Sequence, residues 1–216
     1  MRFHNREHAA HLLVEKLTAY RGQHPLVLGI PRGAVPMAKI IADVLGGDLD
    51  VVLVHKLGAP GNPELAIGSV DETGRVYLSE HVRELGIEDD YLEQEKQAQL
   101  KTLHKRRAQY TPVRPPLDPA GRLVIVVDNG IATGASMIAA LRAVRAKLPA
   151  KLIAAVAVAP PETVKRIGAE ADEVVCLYAP EDFYAVGEFF EDFSQVSDEQ
   201  AIALLRQSSA KPVPAA

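Results

Sequence analysis

The sequence predicts an α/β fold, a doubly wound and mainly parallel sheet flanked by helices. Three observations carry this reading. Short apolar runs at residues 26–30, 51–54, 124–127, 152–159 and 174–177 have the length and aliphatic content of strands buried on both faces. Helix-length segments alternate with these runs, as βαβ units require. Glycine pairs and short polar turns stand at the junctions. In sheets of this kind, ligands bind at the carboxyl ends of the strands.

Taken in order, residues 7–20 read as a first helix and residues 26–30 as the first strand. A helix over 34–45 closes at Gly46-Gly47, where a left-handed cap is easily formed. The next strand is expected at 51–54. Residues 66–78 read as a hairpin turning at Asp71-Glu72-Thr73-Gly74. A long charged helix follows at 88–109 and stops at the Pro-rich linker 111–119. Beyond it come strand 124–127 and helix 135–148, then two buried strands at 152–159 and 174–177 around a helix at 161–169. There is no internal repeat. Residues 1–206 are expected to form one domain, and the small, polar, Pro-containing stretch 207–216 a disordered tail.

Composition narrows the classes. At 216 residues a single domain can bury a substantial core. No apolar run approaches the ~20 residues of a membrane span. Met1 to Arg6 lead into a polar helix rather than a signal peptide's apolar stretch. The single cysteine, Cys176, sits in a strand-like run and reads as a core thiol, so a cytoplasmic setting is expected. A net charge of −4 argues against a nucleic-acid binder, and the basic stretch 101–107 reads as a solvated helix face.

The richest chemistry follows strand 124–127, in Asp128-Asn129-Gly130-Ile131-Ala132-Thr133-Gly134-Ala135-Ser136. A strand-turn-helix unit aims free backbone N–H groups and the positive end of a helix dipole at one point. Gly130 and Gly134 would let the chain approach an oxyanion, while Thr133 and Ser136 add hydroxyls. Phosphate suits that point. Asp128, at the strand's carboxyl end, can accept hydrogen bonds from hydroxyls beside it, and phosphate next to a diol describes a ribose 5-phosphate. Arg32 and Lys56 each follow a predicted strand, which would bring two cations to the same sheet edge. Other constellations fail. His4, His8, His11 and Glu7 share a helical face without a second ligand cluster, and neither G-K-[ST] nor a strand-following G-x-G-x-x-G occurs.

These residues resemble the type I phosphoribosyltransferases. Residues 124–136 resemble that family's signature for phosphoribosyl diphosphate (PRPP), except that Asn129 stands where a second acid is usual. Gly29-Ile30-Pro31-Arg32-Gly33 resembles its pyrophosphate loop, and His55-Lys56 the basic pair ending its next strand. The stretch 56–68 and the segments 183–187 and 192–195 resemble a bacterial subgroup of unsettled acceptor. The resemblance covers roughly residues 1–206. It implies a small hood built from the hairpin and the C-terminal segment, and an unusual backbone, a non-proline cis bond included, in the loop 31–33.

It further implies transfer of ribose 5-phosphate from PRPP to a nitrogen acceptor of the nucleobase kind, with release of pyrophosphate. Arg32, Lys56 and Asp128 would be catalytic. Gly33, Asp128, Asn129, Gly130, Ile131, Ala132, Thr133, Gly134, Ala135 and Ser136 would bind PRPP, and Phe183 or Tyr184 could stack on the base. Mg²⁺ is the implied cofactor, carried by PRPP and water with no direct protein ligand. The partners implied are PRPP, a small acceptor and a second copy of the chain; neither nucleic acid nor membrane is expected. Asn129 keeps a second reading open, a non-catalytic PRPP or nucleotide sensor on the same fold.

Overall fold

A computed structural model describes residues 1–78, 82 and 86–209, with 63, 64, 66 and 209 defined in backbone only. The main sheet has five parallel strands in the order β2-β1-β6-β7-β8. They are β1 (Leu26–Gly29), β2 (Asp48–Val51), β6 (Leu123–Gly130), β7 (Lys151–Val158) and β8 (Glu173–Tyr178). A separate antiparallel sheet holds β3 (Val54–Ala59), β4 (Asn62–Asp71) and β5 (Val76–Leu78) in chain order. The helices are α1 (Arg6–Lys16), α2 (Val35–Leu45), α3 (Asp89–Tyr110), α4 (Ala135–Arg145), α5 (Pro161–Gly168) and α6 (Asp198–Ser209).

Period-two alternation along the central strands separates two cores. Val27, Ile125, Val127, Ile153 and Ala155 face a layer containing residues of α1, α2, α3 and α6. Leu28, Val124, Val126, Leu152 and Ala154 face residues of α4 and α5. This is the doubly wound arrangement expected from the apolar runs, buried on both faces. At the edge, every residue of β8 is only half-buried, Cys176 included, so that thiol is less deeply placed than a core reading implies. Among the described residues no helix is long and apolar enough to cross a membrane.

Two expectations need correction. Residues 51–54 are not one strand. β2 ends at Val51 in the main sheet and β3 starts at Val54 in the antiparallel sheet. Val52 and Leu53 are both buried, on opposite cores, so the crossing between sheets carries the same apolar signature as a strand. His55 and Lys56 therefore lie in β3, with Lys56 paired opposite Ser69, rather than at the carboxyl end of the main sheet. The second correction concerns the end of the chain: α6 was not foreseen and runs to Ser209, through residues 207–209 of the expected tail. Residues 210–216 lie outside those described. The hairpin turn at Asp71 is present, with β4 and β5 on either side and β3 adding a third strand.

The two termini of the fold are stitched together. Phe3 donates its N–H to Phe189 O at 2.7 Å, and Glu191 N–H donates back to Phe3 O at 2.9 Å. Phe3 and Phe190 are both buried, with ring centroids 5.2 Å apart. Asn5 caps α1 by accepting from the His8 N–H at 2.9 Å. The helix's first residue, Arg6, is thereby fixed beside the C-terminal segment.

Candidate functional site at the strand ends

β6 is longer than its four aliphatic residues suggest. It continues through Asp128 and Gly130, which pair with Val156 and Val158 of β7. The turn that follows is anchored from α5. Thr163 Oγ1 donates to Ala132 O at 2.6 Å, and Arg166 Nη1 donates to Thr133 O at 3.1 Å. In a trans peptide the N–H points opposite to the C=O, so the amides of Thr133 and Gly134 face away from α5. Thr133 and Ser136 are exposed, and α4 begins at Ala135 with its first-turn amides at the same place. The turn has the construction of an oxyanion cradle.

The two glycines have packing roles that the sequence did not reveal. Gly134 adopts φ +78°, and a Cβ there would lie 3.1 Å from Thr163 Cγ2. A Cβ on Gly130 would meet Val158 Cγ1 at 2.6 Å and Val186 Cγ1 at 2.8 Å. Close approach to protein, more than to a ligand, excludes side chains at these positions.

Asp128 is half-buried at the end of β6 and accepts the Asn129 N–H at 2.7 Å. Burial pushes its carboxyl up to about 7, against the backbone hydrogen bonds from Asn129 and Gly130, which favour the ionised form. Asn129 is only 7% exposed. Its Oδ1 accepts from Arg6 Nε at 3.2 Å, and its Nδ2 lies so close to Gly33 that a Cβ there would stand 2.4 Å away.

The loop after β1 carries the cis peptide bond Pro31–Arg32, one of the two bonds expected to be unusual. Arg32 projects from it with its side chain 48% exposed and Nη1 3.7 Å from Asp198 Oδ2 at the start of α6. Between this loop, α1, α3 and the C-terminal segment lies a cleft of about 360 Å³, lined among others by Arg6, Arg32, Arg106, Tyr110, Asn129 and Gln195. Lys56 is not among its lining residues. Nor are Phe183 and Tyr184: Phe183 stacks on Phe189 at 5.3 Å, and Tyr184 is 86% exposed.

Arg6, Arg106 and Tyr110 escaped the sequence reading. Arg6 is held by Asn129, by donation to Ser194 O at 2.7 Å, and by stacking 4.1 Å above the Phe193 ring. Arg106 and Tyr110 stand four residues apart at the end of α3 and so share a face. Tyr110 is fully buried, and its hydroxyl has no hydrogen-bond partner among the described residues. An unmatched buried hydroxyl costs about 1–3 kcal/mol. The only sequence signal was Arg106 in the basic stretch 101–107, which also fits a solvated face, with Tyr110 four residues on.

α3 is oriented by its other arginine. Arg107 Nη2 donates to Glu72 Oε1 at 2.9 Å, and Nη1 lies 3.6 Å from the buried Asp50. Asp50 also accepts the Leu117 N–H at 2.9 Å, tying the Pro-rich linker to β2. Tyr91, near the other end of α3, donates to Gly58 O at 2.9 Å. The helix is thus clamped along the antiparallel sheet, with Arg106 and Tyr110 left facing the cleft.

A solved relative has the same architecture. A crystal structure of TT1426 from Thermus thermophilus superimposes with a TM-score of 0.87 at 48% identity, over 96% of this chain and 99% of that one. A Mycobacterium tuberculosis protein (strain H37Rv), named as a phosphoribosyl transferase by inference, is 39% identical over 204 residues. That match covers 94% of this chain but 46% of the relative, so the chain spans about half the length of the curated proteins it matches. The phosphoribosyl transferase domain model matches residues 4–193. By this match over most of its length, the chain belongs to the phosphoribosyl transferase domain family.

Proposed function

We propose that this protein transfers the ribose 5-phosphate of PRPP to a nitrogen acceptor of the nucleobase kind, releasing pyrophosphate. The observation that carries the reading is the pairing of two anion-type loops at one sheet edge. The turn 130–136 follows β6, and the loop 31–33 follows the neighbouring strand β1, in register with it at Gly29 and Val127.

In this reading the backbone of 131–136 wraps the 5-phosphate, with Thr133 and Ser136 adding hydroxyl donors. Asp128 accepts hydrogen bonds from the ribose hydroxyls, and Gly33 lets the loop lie against Asn129. The C1–O bond breaks, its electron pair leaving on pyrophosphate, and the acceptor nitrogen forms the new C1–N bond with inversion. The acceptor's displaced proton passes to solvent. Arg32 stabilises charge growing on the leaving group. Lys56 rides on β3, and closure of the antiparallel sheet with α3 brings its ammonium to the same oxygens and excludes water. Phe183 or Tyr184 supplies the ring surface for a planar acceptor.

Mg²⁺ fits as an ion that arrives on PRPP. Among the described residues no three His, Cys, Asp or Glu side chains come together as a cage, and the ion prefers phosphate oxygens and water. When bound, it neutralises part of the diphosphate charge. The same reading expects a homodimer and a cytoplasmic setting, which sedimentation and cell fractionation test.

The deciding experiment is pyrophosphate release from PRPP across a panel of nucleobases and amines with Mg²⁺ present. Release with at least one acceptor is the expected result. PRPP binding without release for any acceptor would instead favour the sensor reading. That alternative draws on Asn129, an amide whose oxygen is already engaged by Arg6.

A further inference from the structure

The proposed reaction gives Arg32 to the leaving group and leaves three groups in the same cleft without a task. Of the ten described residues that line the cleft, three are arginines and none is acidic. Carboxylates stand around it rather than in its lining, Asp198 and Glu199 acting on Arg32 and Asp192 on Arg6. Such a wall selects an anion with several charges, and pyrophosphate is the more highly charged of the two products of the reaction.

Resting on that reading, we propose that Arg6, Arg106 and Tyr110 join Arg32 in a single pyrophosphate subsite. The leaving group is then held by α1, α3 and the loop 31–33 together. Each member has independent support. Tyr110 is fully buried yet lacks a partner for its hydroxyl among the described residues, and it lines the cleft. Burial, followed by the charge of Asp198, keeps the phenol protonated, while Arg106 and Arg32 oppose that effect. Tyr110 is therefore a donor, which is what a phosphate oxygen needs. Arg106 shares its helical face, and Arg107 on another face is fixed by Glu72 and Asp50, so α3 is not free to turn the pair away. Arg6 has its plane set by Asn129, Ser194 and Phe193.

A neutral acceptor fits this cleft poorly. It would bring no charge to three guanidiniums, and the Phe193 ring is already covered by Arg6. Phe183 and Tyr184, the rings assigned to the acceptor, do not line the cleft.

PRPP and ribose 5-phosphate differ only in pyrophosphate, so calorimetric binding of both, and of inorganic pyrophosphate, at fixed Mg²⁺ tests the subsite. Arg106→Gln should weaken PRPP and pyrophosphate by about tenfold, and Tyr110→Phe by about fivefold, consistent with one charged and one neutral hydrogen bond. Ribose 5-phosphate binding should stay within about twofold in both, which also shows the variants to be folded. Unchanged PRPP affinity, or equal loss for PRPP and ribose 5-phosphate, overturns the subsite while leaving the transferase reading intact. Wild type that binds pyrophosphate but not PRPP defeats the transferase reading and leaves a diphosphate site. Binding of neither defeats both.

Discussion

Arg6 Nε donates to Asn129 Oδ1 at 3.2 Å, across 123 positions of the chain. The bond joins the first residue of α1 to the end of the central strand, and Asn129 in turn lies against Gly33 of the loop after β1. Because Arg6 also grips Ser194 and covers Phe193, one guanidinium holds three walls of the site in place. The residue that departs from the family's acid pair is thus built into the frame of the cleft.

Asn129→Asp should consequently be mild. A carboxylate can still accept from Arg6, and the two side chains have the same shape, so turnover should change by less than about tenfold (~1.4 kcal/mol). Asn129→Leu removes the acceptor and leaves Arg6 with an unmatched donor; PRPP affinity should fall by about tenfold or more. Steady-state kinetics on both variants check this. A large loss in Asn129→Asp would contradict the framing role.

Asp128 should impose a pH dependence. Burial raises its carboxyl from the ordinary aspartate range near 3.8 to about 7 in the folded chain. The sign follows: the protonated form is favoured by folding, so this group's contribution to stability is full below about pH 4 and is lost as pH rises through about 7. Function runs the other way, since accepting hydrogen bonds from ribose hydroxyls is strongest from the ionised form. PRPP affinity should rise between about pH 6 and pH 8, and Asp128→Asn should flatten that rise. The difference between wild type and variant removes the titration of PRPP itself. Parallel curves for the two proteins would sink the assignment.

Gly134→Ala should damage the turn in a different manner. The residue adopts φ +78°, and a methyl would stand 3.1 Å from Thr163 Cγ2, whose own hydroxyl anchors Ala132 O. The left-handed backbone alone costs a non-glycine residue about 1–2 kcal/mol. Thermal unfolding should start a few degrees lower. PRPP and ribose 5-phosphate should weaken together, because the turn serves the phosphate that both carry. Weakening of PRPP alone would move the turn's role to the pyrophosphate end.

The sequence revealed features that local chemistry dictates. Four aliphatic residues followed by Asp128 and a Gly/Thr turn can hardly be other than a buried strand meeting a helix, and β6 and α4 stand there. The exchange of sheets at Val52 and Leu53 was hidden because both residues are buried, whichever sheet receives them. α6 was hidden because few of its side chains, Ala201 and Leu205 among them, are buried apolar ones. Arg6, Arg106 and Tyr110 were hidden for a third reason. Their meeting place is created by the pairing of Phe3 with Phe190 and by the clamp on Arg107, contacts between distant segments that leave no spacing to read.

Asp198 should restrain Arg32. The two lie 3.7 Å apart with side chains 40% and 48% exposed, and such pairs stabilise a fold by only about 0–1 kcal/mol. Asp198→Asn should therefore lower the melting temperature only slightly, since Ser197 keeps its capping bond to the Gln200 N–H and the lost first-turn charge is worth about 0.3–1 kcal/mol. Releasing Arg32 to the diphosphate should lower the KM for PRPP by about two- to fivefold at low salt, and the advantage should shrink as salt screens the wild-type pair. Arg32→Ala and Lys56→Ala should each slow turnover by about one to three powers of ten, with PRPP affinity falling less than turnover in at least one of them. If Asp198 acts through Arg32, adding Asp198→Asn to Arg32→Ala should change KM no further, and an undiminished gain in that background would show that Asp198 acts on the ligand directly.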